Sequence, residues 1–354
     1  MPDTAPPQLG SNGPDAPPKP LRPAVVDLAT DDSPQKALHK ALSAHGFVAV
    51  RNAGVSAELR ESAFASARTY FDKPLAAKLQ DIYTDTNANF GYQAMRSEAL
   101  DPGQAPDEAD LKEAFTMRNL SNPSQLSESK DKTNLDTVWE QSEFGQIASA
   151  LHQRCSQVSQ HLLSLIAAAL GSDSDTFAPY HRGENMTLRY LHYPALDKAS
   201  PLDEAKTDTD EKKMPQLGAG AHTDYGTITL LFSDGVAGLQ LYDISASARG
   251  ENTGRWRDVE VAPGDVLVNT GDLMSLWSNG AYPSTLHRVQ PRRAKPDRYS
   301  MAFFVDPDSS TRVSPLPSCI GEADDQDAHP TSADVVVAGE HIQARIEASQ
   351  RTLA

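Results

Sequence analysis

The chain is poor in cysteine, in positive charge and in long apolar runs, and each scarcity removes a class of protein. Two cysteines, Cys155 and Cys319, stand far apart in 354 residues. They are too few for a disulfide framework and lack metal-ligand spacing, so both are expected as free thiols. No run of about 18 uncharged apolar residues occurs, which argues against a membrane-spanning helix. The N-terminus lacks the basic and apolar regions of a signal peptide, so a cytoplasmic location is expected. Only 32 Lys and Arg face 48 Asp and Glu, a formal net charge of −16. That balance repels phosphate backbones and anionic lipids, so neither nucleic acid nor a membrane is expected as a partner. No internal repeat is visible.

What remains is ordinary for a soluble chain with a sizeable core: 39% apolar and 23% charged residues, compatible with one large domain plus extensions. Residues 1–22 are dense in Pro, Gly, Ser and Asp and are expected to form a disordered arm. Residues 23–170 read as mainly helical. Short strands are expected at Pro23 to Leu28 and Phe47 to Val50, and a helix at Gln35 to His45 stopped by Gly46. Further helical periodicity runs from Leu59 to Leu79, broken near Pro74, and from Trp139 to Leu170.

From Met186 the pattern shifts to short apolar or alternating runs separated by turn residues. Strands are expected at Met186 to His192, Gly226 to Phe232, Leu239 to Tyr242, Asp258 to Val261, Asp265 to Thr270, Ser284 to Gln290 and Arg298 to Val305. Strands at this spacing predict a sandwich or jelly roll as the core, over residues 171–310. Residues 195–217 read as an exposed acidic loop, and 311–354 as a polar segment with a helix from Ala338 to Ser349.

The densest chemistry lies in Gly218-Ala-Gly-Ala-His222-Thr-Asp224-Tyr-Gly226. On an extended segment His222 and Asp224 point the same way, because strand side chains alternate with period two. A second histidine from a distant strand would complete a two-His, one-carboxylate set with open positions for substrate and oxygen, the arrangement of non-haem iron(II) oxygenases. Among ten histidines, His287 in Ser284-Thr-Leu-His287-Arg-Val289 is the best candidate and His192 its rival. Beyond His287 comes Arg298-Tyr-Ser300, where a guanidinium fork and a hydroxyl share one strand face and can bind one carboxylate of a small dicarboxylic acid.

Together, HxD, a distal His and RxS resemble the iron(II)/2-oxoglutarate-dependent oxygenases of the isopenicillin N synthase-like family. The resemblance extends to Gly238-Leu-Gln-Leu241, Val266-Leu-Val-Asn-Thr-Gly-Asp-Leu273 and Trp277-Ser-Asn-Gly280. Earlier in the chain it includes Gly46-Phe-Val-Ala-Val-Arg-Asn52, Gly54-Val55, Gly91-Tyr92 and Asp110-Leu-Lys-Glu-Ala-Phe115, so it covers about Pro23 to Ser349. It implies a mixed α and β fold, a distorted double-stranded β-helix (jelly roll) with N-terminal helices packed around it. It further implies Fe(2+) held by His222, Asp224 and His287, and 2-oxoglutarate held at its C5 carboxylate by Arg298 and Ser300. O2 is then the oxidant and ascorbate a candidate reductant. Tyr193, in Leu188-Arg-Tyr-Leu-His-Tyr-Pro194, inherits a co-substrate contact, and His192 becomes a packing or supporting residue. Many plant relatives have Asn-Tyr-Tyr-Pro here; Leu191 removes the polar contact of that Asn.

The resemblance implies a monomer that oxidises, and foremost hydroxylates, a small organic metabolite, releasing succinate and CO2. Tyr92, Phe115, Tyr225, Phe303 and the loop around Trp277 are candidate pocket residues, and Arg96, Arg118, Arg182 and Arg189 candidates for meeting an acidic substrate. Two readings of the same fold remain open, an ethylene-forming enzyme and a 2-oxoglutarate-independent iron oxidase. A non-catalytic small-molecule binding protein is the alternative of another class.

Overall fold

Alternation along one strand sets the plan of the molecule. In the strand Arg298–Val305, Tyr299, Met301, Phe303 and Val305 belong to a core shared with the helices, while Arg298, Ser300 and Ala302 face a cavity on the other side. The structure is a computed structural model that describes residues 19–83, 86, 88–101, 109–118, 139, 141–183, 185–195, 217–244, 254–291, 296–320 and 335–350.

In chain order the strands are β1 (Val25–Asp27), β2 (Phe47–Arg51), β3 (Phe90–Gln93), β4 (Glu113–Arg118), β5 (Thr187–Tyr193), β6 (Ala219–His222), β7 (Ile228–Ser233), β8 (Leu239–Asp243), β9 (Arg255–Asp258), β10 (Val266–Thr270), β11 (His287–Val289) and β12 (Arg298–Val305). A short pair, β13 (Arg312–Val313) and β14 (Val336–Val337), follows. An eight-stranded sheet runs β1-β2-β10-β7-β12-β5-β4-β3, and a four-stranded sheet runs β6-β11-β8-β9. These are the two sheets of the jelly roll expected from the strand spacing.

The helices are α1 (Pro34–His45), α2 (Ala57–Phe71), α3 (Leu75–Lys78), α4 (Glu143–Ala169), α5 (Asp272–Trp277) and α6 (Ala338–Ser349). The Gly46 stop acts as expected: at φ 65° its N–H caps Leu42 O, and a Cβ there would lie 2.1 Å from Pro283 O. Helix α4 starts where the Ser142 hydroxyl accepts the Gly145 N–H, an N-cap that satisfies an orphan donor. Its stripe of Leu151, Cys155, Val158, Leu162 and Ile166 is almost wholly buried against the large sheet and α1 and α2. Burying each such aliphatic side chain contributes about 1.5–3 kcal/mol, so this helix fixes the sheet's outer face.

Three features differ from the expected pattern. β9 lies at Arg255–Asp258, not Asp258 to Val261, because Trp256 pairs with Tyr242 across the ladder and carries Arg288 on its ring. β3 and β4 were expected only as part of a helical region, yet they complete the large sheet. In β4, Glu113, Thr116 and the adjacent Lys112 are buried as fully as Ala114 and Phe115, so both faces of the strand are covered and polar residues break its apolar signature. Leu21, placed in the expected disordered arm, is 4% exposed and bridges to Val259; residues 1–18 of that arm and 196–216 of the acidic loop lie outside the described residues. No described helix is long and apolar enough to cross a membrane.

Candidate metal and co-substrate site

The cavity lies between the two sheets, and the antiparallel pairing of β6 with β11 brings its first residues together. His222 and His287 are directly opposed in that ladder, with ring centroids 4.3 Å apart. Asp224, two residues beyond His222, returns to the same side, its Oδ1 4.0 Å from His222 Nε2 and 3.6 Å from His287 Nε2. The three ligand-type atoms lie within 4.8 Å of one another, and no other group of this kind occurs among the described residues.

The surroundings determine which atoms are offered. His222 Nδ1 donates to Gly220 O at 2.7 Å and His287 Nδ1 to Thr285 O at 3.0 Å. With those tautomers both Nε2 lone pairs face inward. Asp224 Oδ2 accepts from the Thr229 hydroxyl at 2.5 Å and from Asn269 Nδ2 at 2.6 Å, which leaves Oδ1 turned towards the imidazoles. Burial, reinforced by His287, pushes the His222 imidazole well below its usual range, so the ring is neutral. Two lone pairs and a carboxylate oxygen converging on one point cannot satisfy each other. A divalent cation there satisfies all three, and the N2O donor set suits iron(II).

Arg298 opens β12 further into the cavity, only 3% exposed. One guanidinium nitrogen reaches Ser300 Oγ at 3.3 Å, Nε has no partner, and no carboxylate among the described residues pairs with it. The guanidinium lies 4.7 Å over the Tyr193 ring, and Leu191, Leu231, Leu239, Val289 and Ala302 line the same space. An unpaired buried cation costs several kcal/mol. The inner cavity is thus complementary to an anion whose far end reaches the three converging ligands, and the residues fit both iron(II) and a dicarboxylic 2-oxo acid.

The outer cavity is built differently. Glu98, Arg189, Lys112 and Asp110 form a buried chain: Arg189 binds Glu98, Lys112 Nζ lies 3.3 Å from Glu98 and 2.5 Å from Asp110, and Asp110 Oδ1 accepts the Gly220 N–H at 2.8 Å. Burial alone would raise the Glu98 pKa, yet Arg189 and Lys112 overcome it and hold the carboxyl at about 2. Ile342 and Ile346 of α6 line the cavity wall. Arg345 of the same helix donates to Thr223, pairs with Asp272 and lies 4.5 Å over Tyr225. The whole cavity holds about 140 Å³, about ten water-sized spheres, which suits small molecules.

All six residues singled out for metal and co-substrate therefore line one cavity. Of the residues expected around the substrate, Tyr225 and Arg189 line it too. Tyr92, Phe115, Phe303 and Trp277 do not: they are packed in the helix-side core, because they sit on the opposite face of their strands or on α5. Arg182 pairs with Asp308 instead. His192 points away from the cavity, towards Glu113 and Asp297. Sequence reasoning missed Thr229 and Asn269, and of the Glu98 chain it singled out only Arg189, as a partner for an acidic substrate, where the structure pairs it with Glu98.

The 2OG-Fe(II) oxygenase superfamily model matches residues 183–307, and the N-terminal model of the non-haem dioxygenases in morphine synthesis matches residues 22–141. A 2-oxoglutarate-Fe(II) type oxidoreductase of Aspergillus fumigatus is 31% identical over 299 residues, 81% of this chain and 82% of the relative. Clavatol oxidase of Penicillium crustosum is 30% identical, with 89% and 90% covered. Among solved structures, a full-length Neurospora crassa protein in complex with alpha-KG and thymine matches with a TM-score of 0.72 and 26% identity over 92% of this chain and 96% of that one. JOX2 with 2OG, Fe and JA matches with a TM-score of 0.66 and 25% identity over 86% and 80%. None of these relatives favours an ethylene-forming, co-substrate-independent or non-catalytic reading. The chain belongs to the iron(II)- and 2-oxoglutarate-dependent oxygenases of the isopenicillin N synthase-like type and is a dioxygenase acting on a small organic molecule.

Proposed function

We propose that His222, Asp224 and His287 are the iron ligands, that Arg298 and Ser300 hold the distal carboxylate of 2-oxoglutarate with Tyr193 packed along it, and that the enzyme hydroxylates a small uncharged metabolite. The buried Arg298 guanidinium, without a carboxylate partner among the described residues of the cavity that holds the triad, carries this reading. When bound, iron(II) and 2-oxoglutarate supply O2 activation coupled to decarboxylation of the 2-oxo acid to succinate and CO2, with oxidation of a substrate C–H bond.

The protein's part is orientation. The Gly220 and Thr285 carbonyls fix the imidazole tautomers, while Thr229 and Asn269 hold one carboxylate oxygen of Asp224 so that the other faces the metal. Arg298 and Ser300 set how far the co-substrate reaches into the cavity. Leu191, Leu231 and Val289 exclude water from its chain, which strengthens every charge interaction inside.

Charge accounting supports an uncharged substrate. In the outer cavity Lys112 and Arg189 are neutralised by Asp110 and Glu98, so neither cation is left over for a carboxylic acid. Asp306 lines the same cavity as an acceptor for a substrate N–H or O–H. The thymine held by the Neurospora crassa relative is likewise uncharged. A panel of uncharged, acidic and cationic candidates, scored by succinate formed above the uncoupled background, tests this: strongest coupling is expected from uncharged compounds, and coupling confined to carboxylic acids would overturn the substrate class. The ligand assignment is tested separately, since His222→Ala should lose stoichiometric iron.

A further inference from the structure

Behind the co-substrate end of the cavity, on the helix side of the same strands, lies a polar chain, buried except at Asp297, that the reaction itself does not use. His192 on β5 faces a carboxylate at each ring nitrogen, Nδ1 2.7 Å from Glu113 Oε1 and Nε2 3.1 Å from Asp297 Oδ2. Glu113 Oε2 in turn accepts from Lys78 Nζ at 2.7 Å and from the Tyr92 hydroxyl at 2.5 Å. Asp297 Oδ1 accepts the Ala195 N–H at 2.8 Å. The His192 ring stacks on Tyr299, centroids 4.6 Å apart and planes at 11°, with Phe71 beside it.

These contacts sit back to back with the inner cavity. In the β5–β12 ladder Arg298 pairs with Tyr193 and Tyr299 with His192. One face therefore carries the Arg298–Tyr193 stack in the cavity, and the other carries the His192–Tyr299 stack. Asp297, which His192 holds, immediately precedes Arg298, and His192 immediately precedes Tyr193. The clamp ties β4 and β5 to the residue before the first one of β12. We infer that His192 is a positioning residue for the co-substrate: clamped between Glu113 and Asp297, it fixes the entry of β12 and thereby where the Arg298 guanidinium stands. Each ring nitrogen stands within hydrogen-bond reach of a carboxylate oxygen, and hydrogen bonds to an ionised partner are the strong ones.

This inference rests on the reading of Arg298 as the carboxylate anchor, so both are measured together. The iron(II)-loaded full chain is titrated anaerobically with 2-oxoglutarate, and steady-state kinetics are run alongside. His192→Phe keeps the ring stack and leaves Glu113 its Lys78 and Tyr92 donors. Asp297→Asn changes a side chain 37% exposed, which the fold accommodates. Each should raise the half-saturating 2-oxoglutarate concentration about tenfold, the worth of one charge-assisted hydrogen bond, with iron affinity unchanged. The loss should fall on the KM for 2-oxoglutarate and not on kcat, and His192→Gln should recover part of it. A folded His192→Phe or Asp297→Asn protein with wild-type co-substrate affinity, whatever its melting temperature, overturns the inference. Unchanged affinity in Arg298→Ala, run in parallel, instead overturns the reading beneath it.

Discussion

The inner and outer ends of the one cavity treat charge in opposite ways. At the outer end the cations of the buried chain have their counterparts: Arg189 with Glu98, and Lys112 with Glu98 and Asp110. At the inner end His222, Asp224 and His287 turn their unused atoms towards one another, and Arg298 has a hydroxyl for company. Burial is comparable at both ends, so the contrast does not come from solvent. Desolvating an ion that has no partner is expensive, and a fold retains such a group where a ligand completes it. The two ends meet at Gly220, whose N–H is held by Asp110 of the outer chain and whose carbonyl orients His222. The self-satisfied end thus scaffolds the incomplete one.

This contrast can be broken experimentally, beginning with the largest effect. Asp224→Ala removes the one carboxylate of the proposed ligand set and should abolish stoichiometric iron binding, with turnover falling at least about a thousandfold; metal analysis after gel filtration together with succinate release reads it. At the outer end, Arg189→Met breaks a buried ion pair and should cost about 3 kcal/mol in chemical denaturation while iron stoichiometry stays intact. Equal loss of iron in this variant would mean that the two ends are not separable. Asn269→Ala leaves the triad in place but frees one Asp224 oxygen, and iron affinity should fall about 10- to 100-fold.

Acid gives the most selective effect, spread over the widest range of conditions. Arg189 and Lys112 depress the folded-state pKa of Glu98 to about 2, against the tendency of its burial. A carboxyl with a depressed folded pKa contributes stability that is present above its unfolded value and is lost as pH falls through the folded one. Stability should therefore decline between pH of about 4.5 and about 2, by up to about 1.4 kcal/mol per pH unit from this one group. In Glu98→Gln the slope of urea stability against pH over that window should be shallower.

Legibility in the sequence followed the same division. The inner end depends on pairs two residues apart on strands, His222 with Asp224 and Arg298 with Ser300, and period two is a local signal. Partners arriving from neighbouring strands left none: Thr229 and Asn269 reach Asp224 only because β7 and β10 are adjacent in the sheet. The Glu98 chain draws on three separate segments, at Glu98, at Asp110 with Lys112, and at Arg189. Phe303 was assigned to the pocket although its parity along β12 matches Tyr299 and Met301; the residue that shares a face with Arg298 and Ser300, and lines the cavity, is Phe304. The helices were legible from their periodicity, whereas β4 was hidden by the buried polar residues Glu113 and Thr116 that break its apolar signature.

The account stands most directly on Arg298. Anaerobic addition of 2-oxoglutarate to the iron(II) protein should produce a weak visible metal-to-ligand band that saturates at one co-substrate per iron. In Arg298→Ala, losing charge-assisted bonds worth about 1.5–3 kcal/mol, the band should need roughly ten to a hundred times more 2-oxoglutarate, with iron content unchanged. A full-strength band at the wild-type concentration would contradict the central claim that this guanidinium is left unpaired for the co-substrate.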